Sequence, residues 1–232
     1  MSDAGPATAR PSGPSPGVRR GGPPKRLEPV DDCAALVLAA GESRRFGSPK
    51  PLADWRGTPL VAHAVKTAEA AGCWPIAVVV GCEAAAVAAA VPAAGAVVLN
   101  PRWAEGQGTS LAAGMSALTG GYEPSRTLVL PVDLPHLTAA DLRRVIDASK
   151  ADGASAGAAS FDDGAGGEAF GPPVCVTPPL YPPLRNCTPE GGAKPILEAL
   201  GDALHRVPLP AAADDADTPE QLDQLAAAGA AG

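Results

Sequence analysis

Aromatic side chains are scarce in this chain: three Phe, two Tyr and three Trp make up 3% of its 232 residues. The hydrophobic fraction is nevertheless 46%, so a core must be built from Ala, Val and Leu, a composition that suits helices packed on a parallel sheet. No apolar stretch is long and uninterrupted enough to span a bilayer, and the first residues lack the apolar segment of a signal peptide. These absences predict a cytoplasmic protein without a membrane partner. Positive charge is short as well, with 18 Lys and Arg against 25 Asp and Glu and a formal net charge of −7. That balance excludes a surface that tracks nucleic acid, and any anion binding must be local. The five cysteines, Cys33, Cys73, Cys82, Cys175 and Cys187, include no CxxC pair, which argues for reduced thiols over zinc or a disulfide framework. His63, His136 and His205 have no mutual ligand spacing and read as surface or cap residues; Trp55, Trp74 and Trp103 read as packing residues. No Ser/His/Asp arrangement supports hydrolase chemistry, and no internal repeat is found.

Residues 1–30 mix Pro and Gly with Arg10, Arg19, Arg20, Lys25 and Arg26. Without hydrophobic period they cannot offset their ordering entropy, and a disordered tail is expected, followed by one domain over 31–232. From Cys33 the continuous apolar run to Ala40 is the signature of a strand buried on both faces. A helix is expected from Thr58, as N-cap with Pro59 at the first helical position, to the stop at Gly72. Strand Ile76–Gly81, helix Glu83–Ala90, strand Ala96–Leu99, helix Ser110–Leu118, strand Thr127–Val132 and helix Thr138–Ser149 continue the alternation. Beyond Gly153 the signal weakens. A strand Ala154–Ser160, a Gly/Asp-rich lid or substrate edge Phe161–Gly171, a short strand Pro173–Thr177, a helix Glu190–Leu200, a strand His205–Leu209 and a helix Thr218–Ala228 complete the expected order. The alternation predicts an α/β three-layer sandwich with a mostly parallel, Rossmann-like sheet.

The segment Leu38-Ala-Ala-Gly-Glu-Ser-Arg-Arg-Phe-Gly-Ser-Pro-Lys50 leaves the carboxyl end of the first strand, where open α/β sheets bind ligands. Gly41 and Gly47 permit close approach of backbone amides to phosphate oxygens, and Arg44, Arg45 and Lys50 supply positive charge in an acidic chain. The pattern is neither GxGxxG nor GxxxxGK[ST], so dinucleotide-binding and P-loop readings lose their support. An ordinary surface turn with solvated basic residues is the competing reading. Asp133 follows the apolar run Thr127–Val132 and would emerge at the same edge; a carboxylate there either binds magnesium or caps the next helix, a task Thr138 fills better. Asp217 either offers a second metal ligand or, with Thr218, caps the last helix before Pro219, and Asp215 is its neighbouring alternative. Gly106, Gly108, Ser110 and Gly114 sit at the start of a helix whose free amides suit an anion, or else form a tight turn and cap.

The loop resembles the LxxGxSxRxGxPK signature of the molybdopterin nucleotidyltransferase-like family. The similarity continues in order through Asn100–Gly114, Leu130–Pro135 and Asp215–Leu222, and so covers Cys33 to Leu222. Within that family the molybdenum cofactor cytidylyltransferases are most similar, because Ala39-Ala40-Gly41 stands where the guanylyltransferase branch has a second glycine. The resemblance implies the fold of nucleotide-diphospho-sugar transferases and transfer of CMP from CTP to a molybdopterin-type phosphate, with release of pyrophosphate. It implies Mg2+ as cofactor, and a molybdoenzyme or its chaperone as a further partner. By match to the signature, Arg45 and Lys50 would hold the triphosphate, the backbone of Leu38, Ala39, Ala40 and Gly41 would contact base and ribose, and Gly106, Ser110 and Gly114 would contribute to the nucleotide or acceptor site. Asp133, with Arg45 and Lys50, would be catalytic, and Asp133 and Asp217 would hold the metal. Gly171-Pro-Pro-Val174 departs from the Arg-Gly-His/Asn-Pro-Val of related cytidylyltransferases, removing a basic and a polar residue near the acceptor. Two other readings are an NAD(P)H-dependent oxidoreductase of the nicotine-blue type, from the same superfamily, and a non-catalytic accessory protein that hands the cofactor on.

Overall fold

The computed structural model describes residues 32–120 and 123–228; the tail expected over 1–30 lies outside them. Strand β1 (Cys33–Ala39) lies third from one edge of a seven-stranded sheet. Its residues are almost all buried, as both faces of a doubly covered strand must be. It pairs in parallel with β4 (Ile76–Val80) on one side and β6 (Arg126–Pro131) on the other, with Ala39 opposite Val80 and Leu38 opposite Pro131. The carboxyl ends of the three strands therefore open at one edge. Beyond β4 lies β5 (Gly95–Leu99), also parallel.

Alternation along the strands separates two hydrophobic cores. Cys33, Ala35, Val37 and Ala39 of β1 pack with Ile76, Val78 and Val80 of β4 against α1 (Leu60–Ala70), α4 (Ala139–Ala148) and Leu222 of α7 (Pro219–Ala228). Ala34 and Leu36 pack with Ala77 and Val79 against α3 (Gln107–Thr119), α5 (Tyr181–Arg185) and α6 (Lys194–Glu198). The three layers expected from the sequence are thus present, and small aliphatic residues fill both interfaces. Helix α4 starts as expected: the Thr138 side chain accepts from the Asp141 amide while Asp141 accepts from the Thr138 amide, a reciprocal cap. Among the described residues no helix is long and apolar enough to cross a membrane. All five cysteines are free thiols, three of them buried.

Several local expectations are corrected. Thr58 caps no helix: Thr58–Pro59 is a two-residue strand, β3, paired with β2 (Asp54–Trp55). Arg56 and Gly57 both adopt positive φ, 53° and 84°, and the Gly57 amide bonds Asp54 Oδ2 at 3.0 Å, which closes a tight hairpin and delays α1 to Leu60. Helix α2 spans only Ala84–Ala89, and α3 begins three residues earlier than expected, at Gln107. The segment Phe161–Gly171 is no free lid. It belongs to a hairpin of β7 (Ala156–Asp162) and β8 (Glu168–Val176), and β8 runs antiparallel to both β6 and β7 before β9 (Leu204–Pro208) resumes parallel pairing. The helix expected over Glu190–Leu200 shrinks to α6, because Gly191 and Gly192 turn back on Thr188 through bonds of 3.2 Å each. The prolines at 182 and 183 occupy the first turn of α5, where a missing amide costs nothing.

Candidate active site

The loop after β1 is shaped by its own short bonds. The Ser43 carbonyl accepts from the amides of Phe46 and Gly47 at 2.9 and 3.2 Å, and Gly47 takes φ 72° to make that turn. The Ser43 hydroxyl accepts from the Lys50 amide at 3.1 Å. Serine in the signature thus holds the loop closed and aims Lys50 back across the strand ends. Lys50 itself is 8% exposed.

Asp133 stands just past β6, as the sequence implied. Its backbone oxygen accepts from the Ala216 amide at 3.0 Å, which draws the segment 214–217 to the same edge. Thr218 and Gln221 then cap α7 reciprocally: Gln221 Oε1 accepts from the amides of Asp217 and Thr218, and Thr218 Oγ1 from that of Gln221. The capping alternative therefore belongs to Thr218, and the Asp217 carboxylate is left to other contacts. His136 straps this arrangement down, with Nδ1 3.0 Å from Asp214 Oδ2 and Nε2 2.9 Å from the Leu225 carbonyl. The sequence reading as a surface or cap residue missed that role, since the partners lie 78 and 89 positions away.

Lys50 Nζ bonds Asp133 Oδ2 and Asp217 Oδ1, and Arg45 Nη1 lies 2.6 Å from Asp217 Oδ2. Two cations and two carboxylates form one chain with no net formal charge. They line a cavity of about 380 Å³ together with Leu38, Ala39, Ala40, Gly41 and Ser110. Asp215 is exposed and does not line it. No other atoms crowd Gly41 where a side chain would project, so the backbone there faces open space. Two carboxylates close enough to share one ammonium form the hard-oxygen donor pair that suits a divalent ion. Among the described residues no cluster of three metal-ligating side chains exists, so an ion held there would complete its shell with water and phosphate oxygens.

Two expected site residues are placed elsewhere. Gly114 lies in mid-helix with no room for a β-carbon against the Leu36 side chain; it lets α3 approach β1 and β4, and does not line the cavity. Gly106 sits beneath the Pro189 carbonyl, where a β-carbon would come within 2.5 Å. The Gly108 amide, counted as a free donor, is bonded to Pro189 O at 2.9 Å. Sequence reasoning overlooked Asn100, 2% exposed, whose Nδ2 donates to Thr109 Oγ1 and Ser110 Oγ at 3.0 and 2.9 Å. With its oxygen accepting from Asn100, the Ser110 hydroxyl keeps its proton for a ligand. Asn100 opens one of the family-like blocks, which was the available signal.

A doubly covered, mostly parallel sheet with a charged, glycine-flanked cavity at its carboxyl edge defines the nucleotide-binding class of α/β proteins. Within that class the chain belongs to the MobA-like NTP transferase domain family, whose pattern matches residues 35–206. Nicotine blue oxidoreductase of Paenarthrobacter nicotinovorans is 30% identical over 199 residues, covering 82% of this chain and 94% of that protein. Rv0371c from Mycobacterium tuberculosis H37Rv shares the fold with TM-score 0.68 at 22% identity, over 85% of this chain and 98% of that one, and is also known in complex with manganese. A nucleotidyl transferase from Methanothermobacter thermautotroptrophicus aligns with TM-score 0.66 at 22% identity, over 84% and 96% of the two chains.

Proposed function

We propose that this chain transfers CMP from CTP to a phosphorylated acceptor of the molybdopterin type and releases pyrophosphate. The observation that supports this reading most is the meeting of Arg45, Lys50, Asp133 and Asp217 in one cavity at the carboxyl edge of the sheet. Asp133 and Asp217 fit a divalent cation, with Mg2+ the proposed ion. When bound, that ion would neutralise charge on the phosphate oxygens.

The residues of the chain act by placement and charge. Lys50 and Arg45 turn from the carboxylates to the triphosphate, while the backbone from Leu38 to Gly41 bears on base and ribose. The acceptor phosphate oxygen attacks the α-phosphorus in line, the bond to the β-phosphate oxygen breaks, and the negative charge growing on pyrophosphate is met by the two cations. No protein nucleophile is required, since positioning and electrostatics supply most of the acceleration in phosphoryl-type transfer. CTP is proposed over other triphosphates on the strength of Ala39-Ala40-Gly41. A molybdoenzyme or its chaperone is the proposed recipient of the product, in the reducing cytoplasm that five free thiols suit.

Pyrophosphate release from each of the four triphosphates, with Mg2+ and with or without molybdopterin, tests this reading. A signal confined to CTP and dependent on the acceptor is expected; no release with any triphosphate would overturn it. The identity to nicotine blue oxidoreductase over nearly its whole length favours a second reading, NAD(P)H oxidation without pyrophosphate release, which the same samples distinguish by absorbance at the reduced nicotinamide band.

A further inference from the structure

A groove of about 360 Å³ runs between the β2–β3 hairpin, α1 and the segment 135–139 that enters α4, and it shares no lining residue with the charged cavity. Two of its lining residues, Arg56 and Lys66, are cations and none is a carboxylate, in a chain whose formal net charge is −7. Carboxylates on the elements around it are already engaged: Asp54 accepts from the Gly57 amide, Asp141 from the amide and hydroxyl of Thr138, and Asp214 Oδ2 lies 3.0 Å from His136 Nδ1. Glu69 of α1 is exposed and does not line the groove. Arg56 and Lys66 are exposed too, and neither makes an ion pair among the described residues; Arg56 bonds only the Ala226 carbonyl, at 3.1 Å. Burial is the main cause that lowers the proton affinity of His63, and the charges of Lys66 and Arg56 add to it, so both cations act on one imidazole of the groove.

Trp55, Pro135 and Leu137 make an apolar floor. The polar side chains between the cations are turned to the protein itself: His63 Nε2 lies 3.0 Å from the Pro135 carbonyl, Thr67 Oγ1 donates to the His63 carbonyl at 2.9 Å, and both ring nitrogens of His136 have partners. The Arg143 guanidinium, bonded to the carbonyls of Ala70 and Ala71, brings further positive charge beside Ala70, which also lines the groove. The two lining cations thus carry the attraction, and they come from separate elements, the hairpin and α1. Charges set apart in this way suit carboxylates spaced along an extended chain better than one small anion. A polyanion is repelled at longer range by the net negative charge of the molecule.

We propose that this groove docks a short, extended acidic segment of a partner protein, with its carboxylates on Arg56 and Lys66 and one apolar side chain over Trp55, Pro135 and Leu137. The chain's own segment 1–30, with Arg10, Arg19, Arg20, Lys25 and Arg26 against Asp3 and Glu28, has the wrong sign to fill it. Because the two linings are separate, the partner and a ligand of the charged cavity bind together.

Fluorescence anisotropy of the full chain with an end-labelled Glu-Asp-Leu-Asp-Glu peptide tests this, with Gln-Asn-Leu-Asn-Gln as the uncharged probe. Saturable binding of the acidic peptide is expected, at least about tenfold tighter than that of the uncharged one, weakened by salt and undisturbed by CTP. Arg56→Gln combined with Lys66→Gln should weaken it by about tenfold or more, whereas Lys150→Gln combined with Arg206→Gln, which takes the same charge from ion pairs elsewhere, should leave it within about twofold. Absence of saturable binding, equal binding of both peptides, an equal loss in the two double variants, displacement by CTP or by inorganic phosphate, or tighter binding of a single-stranded oligonucleotide would each overturn the proposal. Sedimentation of the chain alone adds one more outcome: a wild-type dimer that the Arg56 and Lys66 variant disperses would give the groove to a second copy and overturn it as well.

Discussion

Lys50 Nζ lies 3.1 Å from Asp133 Oδ2 and 3.1 Å from Asp217 Oδ1, so a single ammonium group joins carboxylates 84 residues apart in the chain. The Lys50 side chain is 11% exposed and that of Arg45 is 74% exposed. The two cations are therefore not equivalent. An exposed pair such as Arg45–Asp217 is worth at most about 1 kcal/mol, and Arg45 leaves it readily for a phosphate. Lys50 cannot leave without exposing two close carboxylates to each other, so its departure must coincide with arrival of another cation.

Lys50→Met removes the internal competitor for the carboxylate pair. Manganese alone should bind this variant at least about tenfold more tightly than the wild type, a change of about 1.4 kcal/mol. Triphosphate affinity should fall by about tenfold or more, because a charge-assisted bond contributes about 1.5–3 kcal/mol. Isothermal titration with each ligand separately checks both directions, and an unchanged manganese affinity would contradict the competition.

Asp133→Ala should lower transfer by at least about a hundredfold while the melting temperature stays close to that of the wild type. The reason for the intact fold is that Asp133 anchors the segment 214–217 through its backbone oxygen, which the substitution keeps. Steady-state pyrophosphate release and a thermal melt on the same preparation separate the two effects.

Gly108→Ala sets two magnitudes against each other. Alanine favours helix over glycine by about 1 kcal/mol, but its β-carbon would run into the Thr188 carbonyl, which is backbone and cannot rotate away. Overpacking costs of about 1–3 kcal/mol should win, so urea denaturation should show a net loss of stability. A stabilised variant would mean that α3 and the turn at Thr188 separate more easily than their contact implies.

The parts of the site that lie next to a strand end were legible in the sequence. Leu38 and Ala39 end β1, Ala40 and Gly41 follow it, and Asp133 lies just past β6, so the apolar runs alone locate them. Asp217 was ambiguous because cap and ligand residues look alike before a helix; only the bonds of Gln221 to the amides of Asp217 and Thr218 separate the two roles. Gly114 was misassigned for a similar reason, since a glycine that admits a ligand and one that admits Leu36 have the same letter. Strands near β7 and the end of β8 were expected, but the full length of β8 was not, because glycines and the prolines at 172 and 173 mask any period of two, and the antiparallel pairing depends on neighbours distant in sequence. Asn100 and His136 act through partners that no local pattern reveals.

His63 carries a pH signature. Burial, first among the causes, lowers its proton affinity below the ordinary imidazole value, although the bond to the Pro135 carbonyl at 3.0 Å opposes the change. Below about pH 6.5 the unfolded chain takes up this proton more readily than the folded one. The contribution to stability is thus present above that pH and is lost as pH falls through the lowered folded value. His63→Gln should narrow the difference in melting temperature between pH 7.5 and pH 5.5; an equal or larger difference in the variant would contradict the assignment.

The most direct measurement is a crystal structure of the chain with manganese and a non-hydrolysable CTP analogue, read by anomalous scattering. The result expected is a metal peak at about 2.1 Å from oxygens of both Asp133 and Asp217, with Lys50 and Arg45 moved onto the phosphates. A triphosphate bound elsewhere, or Lys50 still lodged between the two carboxylates beside a bound nucleotide, would contradict it.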